Sequence, residues 1–492
     1  MKRQGLALTY DDVRLKTGYA RVMPDDVDVS SSFSRNVSLK VPLVSAPMDR
    51  VTESRLAIAL AMVGGLGIIH RGLSPEDQAA EVRRVKHHLH GRIDEPVTVK
   101  ASDNVENVLA LRAAKGYSFE TFPVVAHDGC LVGIVSGNDF DFCDDPDRRV
   151  VHIMSKDVLT AAPDTSLGEA YKIMLRSRKK VLPLVEKSGR LRGMYVWSDV
   201  KRIVTGSSAD FNVDTEGRLL VGAAVGVRED AERRLELLVR EGVDVLVIDS
   251  AHADSKPVVE TLRWLKRRAD CDVVVGNVSE GSSAARLVRA GADGIKVCQG
   301  PGSICTTRVI AGIGCPQVMA VYQCAVAVKN AVPLCADGGI TQTGDIPIAL
   351  GVGAASVMMG MVFAGTDESP GGVVYDDLGR LRKEYRGMGS LGAMEDSATA
   401  RARYGQVRTG KGQLIPEGVE GTTEYRGKLA DVVYQYVGGL RRGMGYVGAA
   451  NVSELQRKAD FHRISSAGQV ESHPHGVQIT RSSPNYAGGK QR

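Results

Sequence analysis

The chain has 492 residues, 43% of them hydrophobic and 25% charged, enough for two or three domains with sizeable cores. Its formal net charge of +5 arises from 63 basic and 58 acidic residues interspersed along the chain, so no basic stripe marks it as a nucleic-acid binder and nucleic acid is not an expected partner. The eight cysteines form no CxxC pair, which argues against a disulfide framework or a structural zinc site, and no stretch approaches the roughly 18–20 uninterrupted apolar residues of a membrane span.

The start, MKRQGLALTYDDV, carries no secretory apolar run, so a cytoplasmic protein is expected. PLVSAPM (42–48) and GLGIIH (65–70) then read as short buried strands. The next 150 or so residues are too long for a loop between strands and should form a domain of their own. An internal repeat supports this. FPVVAHDGCLVGIVSGNDF (122–140) aligns with LPLVEKSGRLRGMYVWSDV (182–200) at a shift of 60, each copy reading as strand, turn, strand and acidic helix start. TGSSADFNVDTEG, from 205, reads as the linker out of this region.

Six more apolar runs follow: LLVGAAV (219–225), VDVLVID (243–249), DVVVGN (272–277), GIKV (294–297), PLCAD (333–337) and ASVMMG (355–360). Helical patterns such as EDAERRLELLVREG, SKPVVETLRWLKRRA and SSAARLVRAG lie between them. Eight strand–helix units predict an α/β fold, a (β/α)8 TIM barrel, split after its second strand by the inserted domain. The predicted division is 1–93 (barrel, first part), 94–204 (insert) and 205–492 (barrel, second part). Polar residues or glycines follow nearly every strand (Asp49, His70, Asp249, Asn277, Gly300, Asp337, Gly360), at the end where barrel enzymes place their chemistry.

GPGSICTTRVIAGIGCPQ (300–317) is the segment richest in chemistry. Cys305 follows a glycine-rich turn and is flanked by Ser303, Thr306, Thr307 and Arg308, a polar, cationic setting suited to a nucleophilic thiolate. The bare backbone at Gly300, Gly302 and Ser303 can approach a phosphate or a cation closely. Further on, EDSATARARYGQVRTGKGQ (395–413) has almost no apolar periodicity and reads as a mobile, solvated loop.

Taken with LTYDDV (8–13), GGLGIIH (64–70), ADGGI (336–340), AGTDESPG (364–371), YRGMGSLGAM (385–394), PEGVEG (416–421) and ESHPH (471–475), this pattern resembles the IMP dehydrogenase family over essentially the whole chain. GMP reductase shares the barrel and the cysteine loop. Residues 94–204 resemble tandem CBS motifs, modules that bind adenine or guanine nucleotides. Ser136 and Asp139 match the S-x-x-D pattern whose carboxylate contacts a ribose, and Asp199 is its counterpart in the second copy, where Val196 replaces the hydroxyl.

The resemblance implies NAD-dependent oxidation of IMP to XMP. Cys305 would add to C2 of the purine, a hydride would leave to NAD, and water would cleave the resulting thioimidate. Ser303, Gly338, Gly339, Gly360 and Tyr385 would hold the phosphate, Asp337 the ribose, and Met388, Gly389 and Glu417 the purine side. Asp249, Ser250 and Asn277 match cofactor-side positions. For Asp249 and Asp337 the alternative is helix capping after a strand. Arg403 and Tyr404 match a pair carried by a mobile flap, about 386–426, and Thr307 with Glu417 match a second route for activating water. A potassium ion would be held by Gly300, Gly302 and Cys305 with Glu471, Ser472 and His473 from a neighbouring subunit, implying a homotetramer, or an octamer through the CBS modules. ATP or a guanine nucleotide is the implied ligand of those modules.

The sequence departs from the family pattern at Cys298 and Gln299, where a glycine and an aliphatic residue are usual, at Met361, which replaces a serine, and at Arg50, which replaces a threonine. A side chain at Cys298 is expected either to intrude on the cofactor or to demand a backbone angle that glycine allows freely. Two rival readings follow: a GMP reductase, which deaminates GMP to IMP with NADPH, and a catalytically quiet nucleotide sensor.

Overall fold

Strands buried on both faces need near-continuous apolar sequence, and the eight runs fold accordingly. In a computed structural model describing residues 6–89, 92–94, 96–115, 119–205, 210–481 and 483–486, they form β1 (Leu43–Ser45), β2 (Leu66–Ile69), β3 (Val221–Val225), β4 (Val245–Asp249), β5 (Asp272–Val278), β6 (Gly294–Val297), β7 (Leu334–Asp337) and β8 (Ser356–Met359). All eight are parallel and close into a barrel in chain order. β8 returns to β1 through Met358↔Val44, and β2 meets β3 through Gly67↔Val221 despite the long segment between them.

Alternate residues of each strand point inward. Val44, Leu66, Ile68, Ala224, Val245, Val247, Val274, Cys335 and Met358 fill the barrel with Phe33, Val37 and Leu39, which come from the hairpin joining Ser31–Ser32 to Ser38–Leu39. Full burial of each large apolar side chain is worth about 1.5–3 kcal/mol. The same parity carries the inward face of β4 from Val245 and Val247 to Asp249, and that of β7 from Cys335 to Asp337. Apolar packing thus gives way to carboxylates at the C-terminal rim.

The crossover helices follow their patterns. Glu229–Arg240 buries Ala231, Arg234, Leu235 and Leu238, with acids in its first turn and Arg240 in its last, complementing the helix dipole. No helix among the described residues is long and apolar enough to cross a membrane.

The chain divides into two compact units, Met1–Lys86 with Asp210–Arg492, and His87–Ala209. The insert starts earlier than residue 94, because Arg92–Ile93 pairs with Leu191–Val196. Its two halves repeat. Phe122–Val125 pairs with Leu131–Val135, Val181–Val185 pairs with Leu191–Val196, and both hairpins carry a bulge at matching positions, Val124/Val125 and Leu184/Val185. Each half buries its own cluster, around Phe122 and Val135 in one and Leu182 and Tyr195 in the other.

Beyond β8, strands Val373–Tyr375, Leu381–Arg386 and Glu420–Glu424 form an antiparallel sheet. Residues 395–413, expected as a loop, instead contain the helix Ala398–Arg403 and the end of a preceding one, Leu391–Asp396. Ser390 and Ser397 accept hydrogen bonds from Ala393 N and Ala400 N as their caps, and short alanine-rich helices anchored by one or two buried side chains need no long apolar period.

Candidate active site

The loop after β6 is fixed from both sides. Gly300 has φ of +82°, and a Cβ there would stand 2.5 Å from Arg308 Cγ, so both conformation and space require glycine. Arg308 Nε donates to Gln299 O at 3.2 Å, and Cys305 N donates to Gly302 O at 3.0 Å. Residues 304–306 pair with 417–419 of the PEGVEG segment: Val419 N donates to Ile304 O and Thr306 N to Glu417 O, each at 3.0 Å. A linear chain results. Cys305 Sγ donates to Thr307 Oγ1 at 3.3 Å, and that hydroxyl donates to Glu417 Oε2 at 2.8 Å, a path for the thiol proton to a carboxylate.

Beside it, Gly338 and Gly339 adopt φ of +89° and +82°, and a Cβ on Gly338 would stand 3.4 Å from Gly302 N. A Cβ on Gly360 would lie 2.8 Å from the Tyr385 hydroxyl, which neighbours Ser303. Burial pushes the Tyr385 phenol above its ordinary value, Ser303 opposing, so it is a neutral donor. Tyr385 thus stands between Ser303 and Gly360, while Gly338 and Gly339 pack against the Pro301–Gly302 turn.

The inner rim holds a buried charged group. Asp249 is 2% exposed, and neither it nor Asp337 caps a helix: the following helices begin at Lys256 and Asp345. Both carboxylates face Lys296, whose Nζ lies 3.3 Å from Asp249 Oδ1 and 2.5 Å from Asp337 Oδ2 and also bonds Asn277 Oδ1. Asp249 Oδ1 is buried and meets Lys296 as an ion pair without a well-aligned hydrogen bond. Arg403 pairs with Asp249, and Tyr404 lies where a Cβ on Gly389 would be 2.6 Å from its ring.

Residues 7–475 match the IMP dehydrogenase / GMP reductase domain family. The chain belongs to that family. It is 48% identical over 485 residues to the inosine-5'-monophosphate dehydrogenase of Aquifex aeolicus (strain VF5), covering 97% of each chain. It is 44% identical over 486 residues to that of Staphylococcus aureus (strain Mu50 / ATCC 700699), covering 98% of each. Among solved structures, a GMP reductase variant from Trypanosoma brucei in complex with guanosine 5'-monophosphate is similar, with a TM-score of 0.85 and 38% identity, covering 96% of this chain and 99% of that one.

Within this family member, other predicted residues stand apart from the cluster. Ser250 Oγ donates to His252 O at 3.2 Å, while its backbone pairs with Gly276 and Asn277. Ser472 Oγ donates to Gly468 O, His473 Nδ1 lies 3.0 Å from Tyr486 Oη, and Glu471 ends the helix Ser466–Glu471. Ser136, Asp139 and Asp199 lie in the insert, where Asp139 Oδ2 accepts from both Ser136 N and Ser136 Oγ at 2.7 Å as a capping box.

The departures from the family pattern are accommodated. Cys298 does not have a positive φ; its N–H donates to Val278 O at 2.9 Å, continuing the β5–β6 pairing, so the expected backbone strain is absent. Burial pushes its thiol far up, which keeps it protonated. Gln299 bonds Ser279 Oγ at 2.6 Å, and Arg50 lies 3.9 Å from Glu384.

Sequence reasoning missed three polar residues here. Lys296 reads as an interruption in an apolar strand. Arg386 joins Asp49 Oδ2, at 2.6 Å, to Asp396 Oδ2, at 2.8 Å, tying the loop after β1 to the first flap helix. Arg71 is buried, and its carbonyl accepts from Thr399 Oγ1 at 3.0 Å; burial lowers its guanidinium to about 10, with Asp230 opposing and Arg403 adding to the shift.

Proposed function

We propose that this chain oxidises IMP to XMP with NAD. The observation that carries the reading is the Cys305–Thr307–Glu417 hydrogen-bonded chain, together with the Arg403–Tyr404 pair set against Asp249 and Gly389. Cys305 adds to C2 of the purine while Thr307 passes the thiol proton to Glu417. Ser303, Gly338, Gly339, Gly360 and Tyr385 hold the 5'-phosphate, Asp337 accepts from the ribose, and Met388 and Gly389 border the purine.

Asp249, with Ser250 and Asn277, fits the polar edge of a dinucleotide once Arg403 leaves that carboxylate. NAD bound there supplies a hydride acceptor. Arg403 and Tyr404 then cover the covalent adduct, and either Arg403 or the Thr307–Glu417 pair takes the proton of the attacking water. Because Arg403 sits on Asp249 in this structure, flap and cofactor use that carboxylate in turn.

The carbonyls of Gly300, Gly302 and Cys305 are neutral oxygen donors of the type a potassium ion takes, with Glu471, Ser472 and His473 of a neighbouring subunit completing the shell in a homotetramer or octamer. We read the insert as a tandem CBS regulatory pair, with Ser136, Asp139 and Asp199 toward ATP or a guanine nucleotide.

One observation favours a second reading, GMP reduction with NADPH: the structural similarity to a GMP reductase at a TM-score of 0.85. A single assay separates them. Purified protein with potassium, IMP and NAD is expected to yield NADH and XMP. No product there, with NADPH oxidation and ammonia release from GMP, would replace this reading with the second. Absence of both, with purine binding intact, would favour a nucleotide sensor.

A further inference from the structure

Lys296 is 1% exposed and stands between the two sides of the site. Its ammonium meets Asp337 Oδ2 at 2.5 Å on β7, Asp249 Oδ1 at 3.3 Å on β4, and Asn277 Oδ1 on β5. A buried ammonium is costly unless paired, yet one partner would satisfy it. Two carboxylates around one cation leave a negative charge over, and Arg403 on Asp249 matches it. Burial alone would lower the lysine's pKa, but Asp337 together with the neighbouring Cys298 and Cys335 outweighs it and the net shift is upward, so the group remains charged.

We propose that Lys296 is a positioning residue that couples the substrate-side carboxylate Asp337 to the cofactor- and flap-side carboxylate Asp249. The proposal rests on the functional reading above, in which Asp337 faces the nucleotide ribose. The ammonium is shared, so each carboxylate holds it less tightly than it would alone. Neutralising Asp249 releases Lys296 entirely to Asp337, whose oxygens then accept less strongly from the ribose hydroxyls. By linkage, a nucleotide on Asp337 alters what Asp249 binds by the same factor.

Titration calorimetry on the full chain tests this with IMP and, separately, GMP, in the absence of cofactor. Asp249→Asn should weaken nucleotide binding by about fivefold or more, although Asp249 lies on the cofactor side. In a Lys296→Met background the same substitution should change Kd by less than about twofold, and Lys296→Arg should restore the coupling. Asp249→Asn leaving Kd within about twofold in the otherwise wild-type chain overturns the proposal, as does an equal effect with and without Lys296. If Lys296→Met does not fold, the Asp249→Asn arm alone decides. Failure of the wild-type chain to bind either nucleotide overturns the functional reading and the coupling with it; binding that is indifferent to Asp249 overturns the coupling alone.

Discussion

The barrel mouth and the insert are both built on short, apolar strands, but they treat polar residues in opposite ways. At the mouth, Asp249, Lys296 and Asn277 are buried together and share partners drawn from different strands. In the insert, the side-chain pairs Ser136 with Asp139, Ser166 with Glu169 and Arg192 with Glu186 are local, and the long-range bonds of Arg92 and Tyr195 go to the backbone carbonyls of Pro163 and Thr165. A helix cap satisfies the backbone beside it and adds about 1 kcal/mol, whereas a buried charge cluster stabilises the fold poorly for the desolvation it demands. Free energy committed to such a cluster points to chemistry.

The strongest attempt to break this contrast targets Cys305. Cys305→Ala should lower turnover by at least about 10³-fold, because no other group in the Thr307–Glu417 chain can form the covalent bond. The variant should melt close to the wild type, since Cys305 is only partly buried and its backbone bonds persist. Initial rates of NADH formation with a thermal melt check both halves. Turnover above a tenth of wild type would remove the thiol from the chemistry.

A second test concerns stability at the point where the chain leaves the barrel. Lys86 is 1% exposed and bonds Asp214 Oδ2 at 2.9 Å and Asp244 Oδ2 at 2.7 Å, so one ammonium joins residues on either side of the long insertion. Lys86→Met leaves the largely buried Asp244 without its cation, while Asp214 keeps Arg218, and should cost about 3–5 kcal/mol. Burial would raise the Asp214 carboxyl, but Lys86 and Arg218 outweigh it and hold it at about 2. A depressed folded pKa stabilises above the ordinary carboxylate range and is lost as pH falls toward 2. Burial raises Asp244 despite Lys86, but Lys86 favours the ionised form of both carboxyls, so denaturant melts between pH 5 and pH 2 should show the wild type losing more stability than the variant. Parallel curves would mean that the clip contributes nothing.

The barrel was legible because strands buried on both faces must be continuous apolar runs, and the residues just past them are the ones a barrel exposes at its mouth. Asp249 and Asp337 are read that way, and Cys305 is read from the glycine-rich turn and the polar neighbours that surround it. Lys296 is not, because its three partners lie on three other strands and no local pattern announces them. Arg386 escaped for the same reason, joining Asp49 to Asp396 across more than three hundred residues. The flap helices were hidden because alanine and serine caps, rather than an apolar stripe, hold them. At Cys298, family comparison predicted strain that the observed backbone, still in ladder pairing with Val278, does not carry.

The smallest effect sharpens the reading of the insert. Ser136 and Ser166 head capping boxes of the same type, Ser136 with Asp139 and Ser166 with Glu169. As caps alone, Ser136→Ala and Ser166→Ala should each destabilise the insert by about 0.5–2 kcal/mol and leave turnover without added nucleotide unchanged. The two diverge only if Asp139 also receives a ribose. Its Oδ2 is already occupied by Ser136, so a nucleotide would use Oδ1, and losing the serine would let the carboxylate swing away from that position. Calorimetry with ATP and GTP on both variants then decides: loss of heat in Ser136→Ala but not in Ser166→Ala makes the first copy a binding site, while equal heats make its serine a cap and nothing more.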